Sequence, residues 1–293
     1  MKQTDQIIRR AAEDLGPLDD GSVALTVTSP PYWNAIDYDI HTRDASQWYR
    51  TRSYGQGYED YQGYLRWLSG VFSPLLTKTK AGGFCAVVIG TVLLDGKHYP
   101  LPFDFTAGMV QWGWEFHQDI IWNKVTGGVR RAGVFIQKPF PGYYYPNIMT
   151  EYILVFRRPG PPIYEGRSDE ERERARIELD EVFKKDVANT VWHIAPVPPG
   201  HLDHPCPFPE EIPYRLIRLY SYPGDLVFDP FVGSGQTTKV AHYLDRRYLG
   251  FDTEAKYVAY ARRRAKHPAR LRKTQLVPSF ANRIRSGGAN AAS

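Results

Sequence analysis

The run Leu226-Val-Phe-Asp-Pro-Phe-Val-Gly-Ser-Gly-Gln-Thr237 restricts the possible folds of this chain more than any other stretch. A short apolar strand ends on Asp229, a turn carries Gly233 and Gly235, and helical spacing follows over 237–244. Glycines let a backbone approach a ligand closely, and a helix N-terminus offers unpaired N–H groups. The third glycine of the dinucleotide fingerprint is missing, and no Lys-Ser or Lys-Thr follows as in a phosphate-binding loop, so phosphate is not the implied ligand. Val232 stands where a nucleophile elbow requires glycine. A second strand, Tyr248-Leu-Gly-Phe251, and a helix over 254–265 come next, and Asp252 closes that strand. A carboxylate there can accept two hydrogen bonds from a ribose diol. Followed by Thr253 and Glu254, it can equally cap the next helix.

Upstream, the same alternation recurs. Residues 4–15 place Ile7, Ile8, Ala11, Ala12 and Leu15 at helical spacing; a β-rich run, Val23-Ala-Leu-Thr-Val-Thr28, follows a turn at Asp19, Asp20 and Gly21. Residues 58–79 predict a helix, Gly82-Gly83 a turn, and Phe84-Cys-Ala-Val-Val-Ile89 a buried strand with Cys85 in the core. A helix is expected from Phe103 to Trp112. Gln118–Trp122 and Tyr152–Phe156 are expected to pair as a hairpin around the long insertion 124–149. In 157–186 both charge signs are dense, with an apolar helical stripe of Ala175, Ile177, Leu179, Val182 and Phe183 and an outer face that is most simply solvated. A Pro-rich connector, 196–213, leads to a helix over 214–222. Strands alternating with helices imply a doubly wound α/β sheet. With 293 residues the chain suits one large domain with an insertion, or two domains.

The run at Val23 stops at Ser29-Pro30-Pro31-Tyr32. Two prolines stiffen the chain and remove two N–H groups, leaving nearby carbonyls as outward acceptors. The Ser29 hydroxyl and a proline-flanked carbonyl can accept the hydrogens of an amine on a planar group, with Tyr32 stacked on its face. In isolation the same residues also make a plain turn with an edge aromatic.

Taken together, these motifs resemble the amino-methylating DNA methyltransferases of the circularly permuted beta group. Thr28-Ser-Pro-Pro-Tyr-Trp33 matches the catalytic motif and Phe228-Asp-Pro-Phe-Val-Gly-Ser-Gly-Gln-Thr237 the cofactor motif, in the permuted order. Ile120–Lys124 and Glu151–Phe156 resemble the paired late strands, His204–Ile212 the segment before the cofactor motif, and Leu249-Gly-Phe-Asp252 the ribose-binding motif. The resemblance implies a Rossmann-like S-adenosylmethionine-dependent methyltransferase sheet, circularly permuted, with a small target-recognition insertion. It assigns catalysis to Ser29, Pro30, Pro31 and Tyr32. S-adenosylmethionine falls to Asp229, Pro230, Phe231, Gly233, Ser234, Gly235, Thr237, Asp252 and Phe208. Ser before Pro-Pro favours cytosine-N4 over adenine-N6. Two departures stand out. Gln236 replaces the usual Thr, and the family's strand ending in Gly-Asp has no counterpart at the N-terminus; Thr274-Gln-Leu-Val277 could supply it.

The expected organisation is a catalytic half over 1–157, a target-recognition region over 158–203, a cofactor half over 204–285 and a disordered tail over 286–293. Loop 34–57, with Arg43, Arg50 and Arg52, is expected to be mobile and to close over the base. The insertion 124–149, with Lys124, Arg130, Arg131, Lys138 and Tyr143-Tyr-Tyr145, is expected to clamp phosphate and stack on bases, and with a helix over 168–186 to read the groove. A net charge of +5 and 14% aromatic residues fit a nucleic-acid partner, here double-stranded DNA, with a homodimer left open. Two cysteines and the lack of a long apolar run point to the cytoplasm, without a membrane. Pro205-Cys206 is a lure toward carbon-5 chemistry, spoiled by Pro207 and its place before the cofactor motif. His193, His201 and His204 lack metal spacing, so no metal is expected. An adenine-N6 enzyme, an RNA- or protein-modifying methyltransferase and a non-catalytic DNA-binding module are the rivals.

Overall fold

The computed structural model describes residues 4–31, 33, 60–94, 97–124, 140–142, 148–198, 201–202, 204 and 207–267. Its elements are β1 (Gln6–Arg9), β2 (Val23–Thr28), α1 (Tyr61–Lys78), β3 (Thr79–Ile89), β4 (Val92–Leu94), β5 (Lys97–Tyr99), α2 (Leu101–Gln111), β6 (Glu115–Asn123) and β7 (Thr150–Arg157). Then come α3 (Asp169–Arg174), a π-helical turn (Phe183–Val187), β8 (Val191–His193), α4 (Glu211–Tyr220), β9 (Leu226–Asp229), α5 (Gln236–Tyr243), β10 (Arg247–Asp252) and α6 (Ala255–Ala265). Eight strands form one sheet in the order β1-β10-β9-β2-β3-β7-β6-β8, and β4 pairs with β5 alone. β7 is antiparallel to both neighbours; every other pairing in the large sheet is parallel.

Helices cover both faces, as the doubly wound reading expects. On one face α1 and α2 bury Leu68, Phe72, Leu75, Phe105 and Met109 against Cys85, Val87, Phe228 and Phe251. On the other, α4 and α5 bury Ile212, Leu216, Val240 and Ala241 against Val27, Ala86, Val88 and Val227. The sides alternate residue by residue along β3 because strand side chains have a period of two. Cys85 is fully buried there, and burial pushes its thiol well above the usual range. Among the described residues, no helix is long and apolar enough to cross a membrane.

Several expectations are corrected. Residues 4–15 are not a helix. Gln6–Arg9 is a strand pairing Ile7 with Gly250 and Arg9 with Asp252. Ile7 packs in the cluster of α6 and Ile8 against the core of α1 and α2, so the adjacent pair serves opposite faces of the sheet. Thr274–Val277, offered as the source of the family's missing strand, lies outside the described residues. Gly82-Gly83 is no turn before a strand: β3 starts at Thr79, directly after α1, and the glycines lie in a bulge. Gly82 has φ +73°, and a Cβ there would stand 1.9 Å from the Pro161 carbonyl oxygen, so only glycine fits.

The helix expected over 168–186 is also broken. α3 is one capped stretch, closed by a reciprocal Ser168–Glu171 box and ended at Ala175. Asp180 then accepts from the Phe183 N–H at 2.7 Å, starting a separate turn. Leu179 is exposed, whereas Ile177, Val182 and Phe183 line a cavity of about 190 Å³ against Tyr214 and Leu219 of α4. The apolar spacing thus comes from the irregular stretch at Ile177 and the following turn meeting α4, while α3 itself buries nothing. β8, too short for periodicity to reveal, adds Val191–His193 to β6.

Candidate active site

Strand polarity decides where a site can form. β1, β10, β9, β2 and β3 all end at one edge, on Arg9, Asp252, Asp229, Thr28 and Ile89. From β9 the chain proceeds outward to β10, and from β2 in the other direction to β3, so the winding reverses between β9 and β2. Crevices beyond the carboxyl ends at such a reversal are where open α/β sheets bind ligands. Both sequence motifs leave the sheet there, Asp229-Pro230 from β9 and Ser29-Pro30 from β2.

Two bonds tie the motifs together across some two hundred residues of sequence. The Thr28 hydroxyl donates to Asp229 Oδ1 at 2.6 Å, and the Thr237 hydroxyl donates to the Val27 carbonyl at 3.0 Å. Asp229 is 1% exposed, and burial pushes its carboxyl up to about 6, opposed by the hydrogen bonds from Thr28 and the Phe231 N–H. Its role in the free chain is to lock the strand-to-turn junction.

Beyond Asp229 the turn is held tightly. The Val232 N–H donates to the Phe251 carbonyl at 2.8 Å and the Gly235 N–H to the Val232 carbonyl at 2.7 Å. Gly235 sits at φ +79° as the residue before α5, where a Cβ would meet the Ala261 Cβ at 2.8 Å. Ser234 and Thr237 are buried, while Phe231 is half-buried and packs on Trp67 at 5.5 Å. Asp252 takes one backbone donor on each oxygen, Gly233 N–H at 3.0 Å and Glu254 N–H at 2.8 Å. Each oxygen keeps acceptor capacity. Asp252 thus braces the glycine turn and accepts from Glu254, the residue before α6, which itself makes no side-chain cap. Burial raises the Asp252 pKa.

Gln236 answers one departure from the family pattern. Its Nε2 donates to the Phe208 carbonyl at 2.9 Å, joining the segment before α4 to the glycine turn. Its Oε1 is buried with no partner among the described residues, an acceptor left over beside the glycine turn. A Cβ at Gly233 would stand 2.6 Å from His204 Nε2, so the turn and the 204–212 segment approach closely. An open acceptor pair on Asp252, a spare acceptor on Gln236 and a turn without side-chain bulk fit a nucleoside carrying a diol and an amino group, as expected of S-adenosylmethionine. Pro230 belongs to the same turn and is buried; Phe208 is 9% exposed.

The Ser-Pro-Pro segment is braced from below. Ser29 and Pro31 are half-buried and Pro30 is buried. The Tyr64 hydroxyl of α1 donates to the Pro31 carbonyl at 2.9 Å. Trp33, 5% exposed, packs on Tyr61 at 5.2 Å and edge-on to Tyr99 at 4.7 Å, while the Tyr61 hydroxyl donates to Asp104. These anchors were not singled out from the sequence. An aromatic in the first turn of an amphipathic helix looks like core, and only its hydroxyl contact shows otherwise. Tyr32, Cys206, Arg43, Arg50, Arg52, Arg130, Arg131 and Lys138 lie outside the described residues. Lys124, one of the residues expected to clamp phosphate, pairs with buried Glu151 and sits 4.9 Å over the Trp122 ring.

With this geometry in hand, the chain can be set beside known proteins. A family model described as DNA methylase matches residues 23–263. Type II methyltransferase M.MjaI of Methanocaldococcus jannaschii is 27% identical over 271 residues, covering 85% of this chain and 87% of its own length. Type II methyltransferase M.SmaI of Serratia marcescens is 26% identical over 288 residues, covering 88% and 89%. Among solved structures, a DNA modification methylase from Thermus thermophilus, complexed with S-adenosyl-L-methionine, superposes with a TM-score of 0.67 at 28% identity, over 89% of this chain and 92% of that one. The cytosine-N4-specific PvuII DNA methyltransferase shares the fold, with a TM-score of 0.64 at 19% identity over 96% and 92%.

Proposed function

The chain belongs to the N6/N4 DNA methylase family, and from that premise we propose that it is an S-adenosylmethionine-dependent, site-specific methyltransferase acting on the N4 amine of cytosine in duplex DNA. The observation that carries this reading is the Thr28–Asp229 bond at 2.6 Å, because it sets the acceptor-rich Ser29-Pro30 segment beside the glycine turn at one crevice.

The bound cofactor would supply an electrophilic methyl group on a positively charged sulfur. Asp252 would hold its ribose, Gly233 and Gly235 would give it room, and Phe231 and Phe208 would flank it. The target base would enter the other half of the crevice after being turned out of the duplex. Ser29 Oγ and the Pro30 carbonyl would accept the two amine hydrogens, drawing the nitrogen lone pair out of conjugation with the ring. Tyr32 would stack on the base, and Tyr64 keeps the Pro31 carbonyl turned away. The exocyclic amine would then be the nucleophile: its nitrogen would bond to the methyl carbon as the carbon–sulfur pair stays on sulfur, and one amine proton would pass to water, so the chain contributes alignment, an effect that can supply about 7–11 kcal/mol.

Loop 34–57 and insertion 124–149 are assigned to DNA. Thr28 and Asn123, which precede them, both end strands at the crevice edge, and this supports the assignment. The region 158–203 would complete target recognition. A restriction-modification or epigenetic role and a cytoplasmic, DNA-associated location accompany this reading.

The test is base analysis of defined duplex DNA after incubation with S-adenosylmethionine. N4-methylcytosine is expected. N6-methyladenine alone would move the enzyme to the other amine, and carbon-5 methylcytosine would revive Cys206 and sink the Ser-Pro-Pro-Tyr mechanism.

A further inference from the structure

Glu210 stands at the N-cap position of α4, yet its carboxylate makes no capping bond to that helix. A carboxylate placed there ordinarily satisfies free N–H groups of the first turn. Instead one oxygen accepts from cations on two other helices, Lys239 Nζ of α5 at 2.8 Å and Arg264 Nη2 of α6. All three side chains are at most 16% exposed. Ions so far out of water are costly unless paired, so the fold maintains this cluster against a desolvation cost. The catalytic assignment makes no use of it.

The other arm of Arg264 gives the cluster a direction. Its Nη1 donates to the Ser234 carbonyl, inside the glycine turn. The Gly235 N–H belongs to the same peptide group and donates to the Val232 carbonyl at 2.7 Å. The Ser234–Gly235 peptide is thus pinned at both ends, between Gly233 at φ +47° and Gly235 at φ +79°. Two glycines leave such a turn many other conformations, and these two bonds select one. Arg264 reaches the turn because it lies one helical turn beyond Ala261, whose Cβ leaves no room for one on Gly235. Glu210 itself follows closely on Phe208, whose carbonyl accepts from Gln236 Nε2. Phe208 and the glycine turn, both assigned to the cofactor, are therefore joined twice, once through Gln236 and once through Glu210 and Arg264. The Lys239 ammonium meets the same carboxylate, and among the described residues it has no hydrogen bond to the turn.

We propose that Arg264, anchored by Glu210, is a positioning residue that holds the glycine turn in its ligand-accepting shape before S-adenosylmethionine arrives. The inference rests on the reading of this turn as the cofactor site. When only a fraction of a protein is in the binding-competent conformation, its apparent affinity falls by that fraction. Arg264 raises the fraction without contact to the methyl group or the target base, so it acts alike on every ligand that carries the same nucleoside.

The experiment uses the full chain and the variants R264M, R264K and K239M. Calorimetry measures binding of S-adenosylmethionine and of S-adenosylhomocysteine, which lacks the sulfonium charge. Nuclear magnetic resonance follows hydrogen exchange of the Gly235 N–H in the cofactor-free protein. R264M is expected to weaken both ligands by one factor, about tenfold if the turn then keeps its shape about a tenth of the time, and to speed Gly235 exchange. In turnover the loss should fall on KM for the cofactor and not on kcat. K239M removes the other cation from the same carboxylate; it should lower stability and leave both affinities and Gly235 exchange at their wild-type values. Unchanged affinities in R264M overturn the proposal. So do unequal losses for the two ligands, which would mean that the guanidinium charge acts on the sulfonium, and an equal loss in K239M, which would mean that the cluster serves stability alone. If R264M does not fold, R264K keeps a charge beside Glu210 but lacks the planar fork that serves two acceptors. It should weaken both ligands about threefold, and wild-type affinity there is equally fatal. A wild type that binds neither ligand would instead remove the cofactor reading itself.

Discussion

Replacing Thr28 with Val tests the junction on which the site depends. The substitution keeps the shape of a β-branched side chain and removes the donor to Asp229 Oδ1. Asp229 is 1% exposed, and its carboxyl is raised from 3.8 to about 6 because burial outweighs its hydrogen bonds. A folded pKa above the unfolded one means that ionising Asp229 costs folding stability. The wild type should therefore lose stability from this group as pH rises from about 4 through about 6, approaching about 3 kcal/mol above that window. The Thr28 bond acts in the opposite sense, favouring the charged form. Its contribution should be about 1.5–3 kcal/mol where Asp229 is ionised and about 0.5–1.5 kcal/mol where it is protonated. Urea unfolding of wild type and Thr28→Val at pH 5 and pH 8, without cofactor, measures the difference directly. The variant should be destabilised at both values and more so at pH 8. In an Asp229→Asn background the pH dependence of the Thr28 effect should vanish. Equal losses at the two pH values, or a larger loss at pH 5, would refute the argument that an ionisable Asp229 is held by Thr28.

Ser29→Ala should lower kcat while leaving cofactor affinity near the wild-type value; unaffected turnover with collapsed DNA affinity would make Ser29 a binding residue only. Asp252→Ala should weaken S-adenosylmethionine binding by about 1.5–3 kcal/mol, roughly ten- to a hundredfold by calorimetry, and an unchanged affinity in a folded variant removes Asp252 from the ribose site. Gly235→Ala should cost about 1–3 kcal/mol in unfolding experiments, since the new Cβ must adopt φ +79° and displace Ala261; a melting temperature equal to that of wild type would show that the turn is not so confined.

The sequence by itself determined the elements whose patterns are long or strongly punctuated. α1, β2, β9, α5, β10 and α6 were all legible because apolar periodicity, glycines and prolines act locally, and the strand–turn–helix chemistry of 226–244 needs no distant partner to be recognised. The same holds for the buried strand around Cys85 and the hairpin of β6 and β7. Tertiary structure decided the rest. Gln6–Arg9 is a strand because β10 offers an unpaired edge, and four residues with two isoleucines look alike in either period until that edge exists. The stripe over 175–183 is split between an irregular stretch and a separate turn because Asp180 captures the Phe183 N–H and α4 supplies the apolar cover. In the site, Ser29, Asp229 and Asp252 were named from their motifs, yet Thr28, Tyr64 and Gln236 were not given their roles. Each acts through one hydrogen bond to a residue far away in sequence, and a bond of that kind has no local pattern. The bringing together of the two motifs is likewise a property of strand order: β9 lies beside β2 only once the whole sheet has formed, and only then do residues 28 and 229 meet.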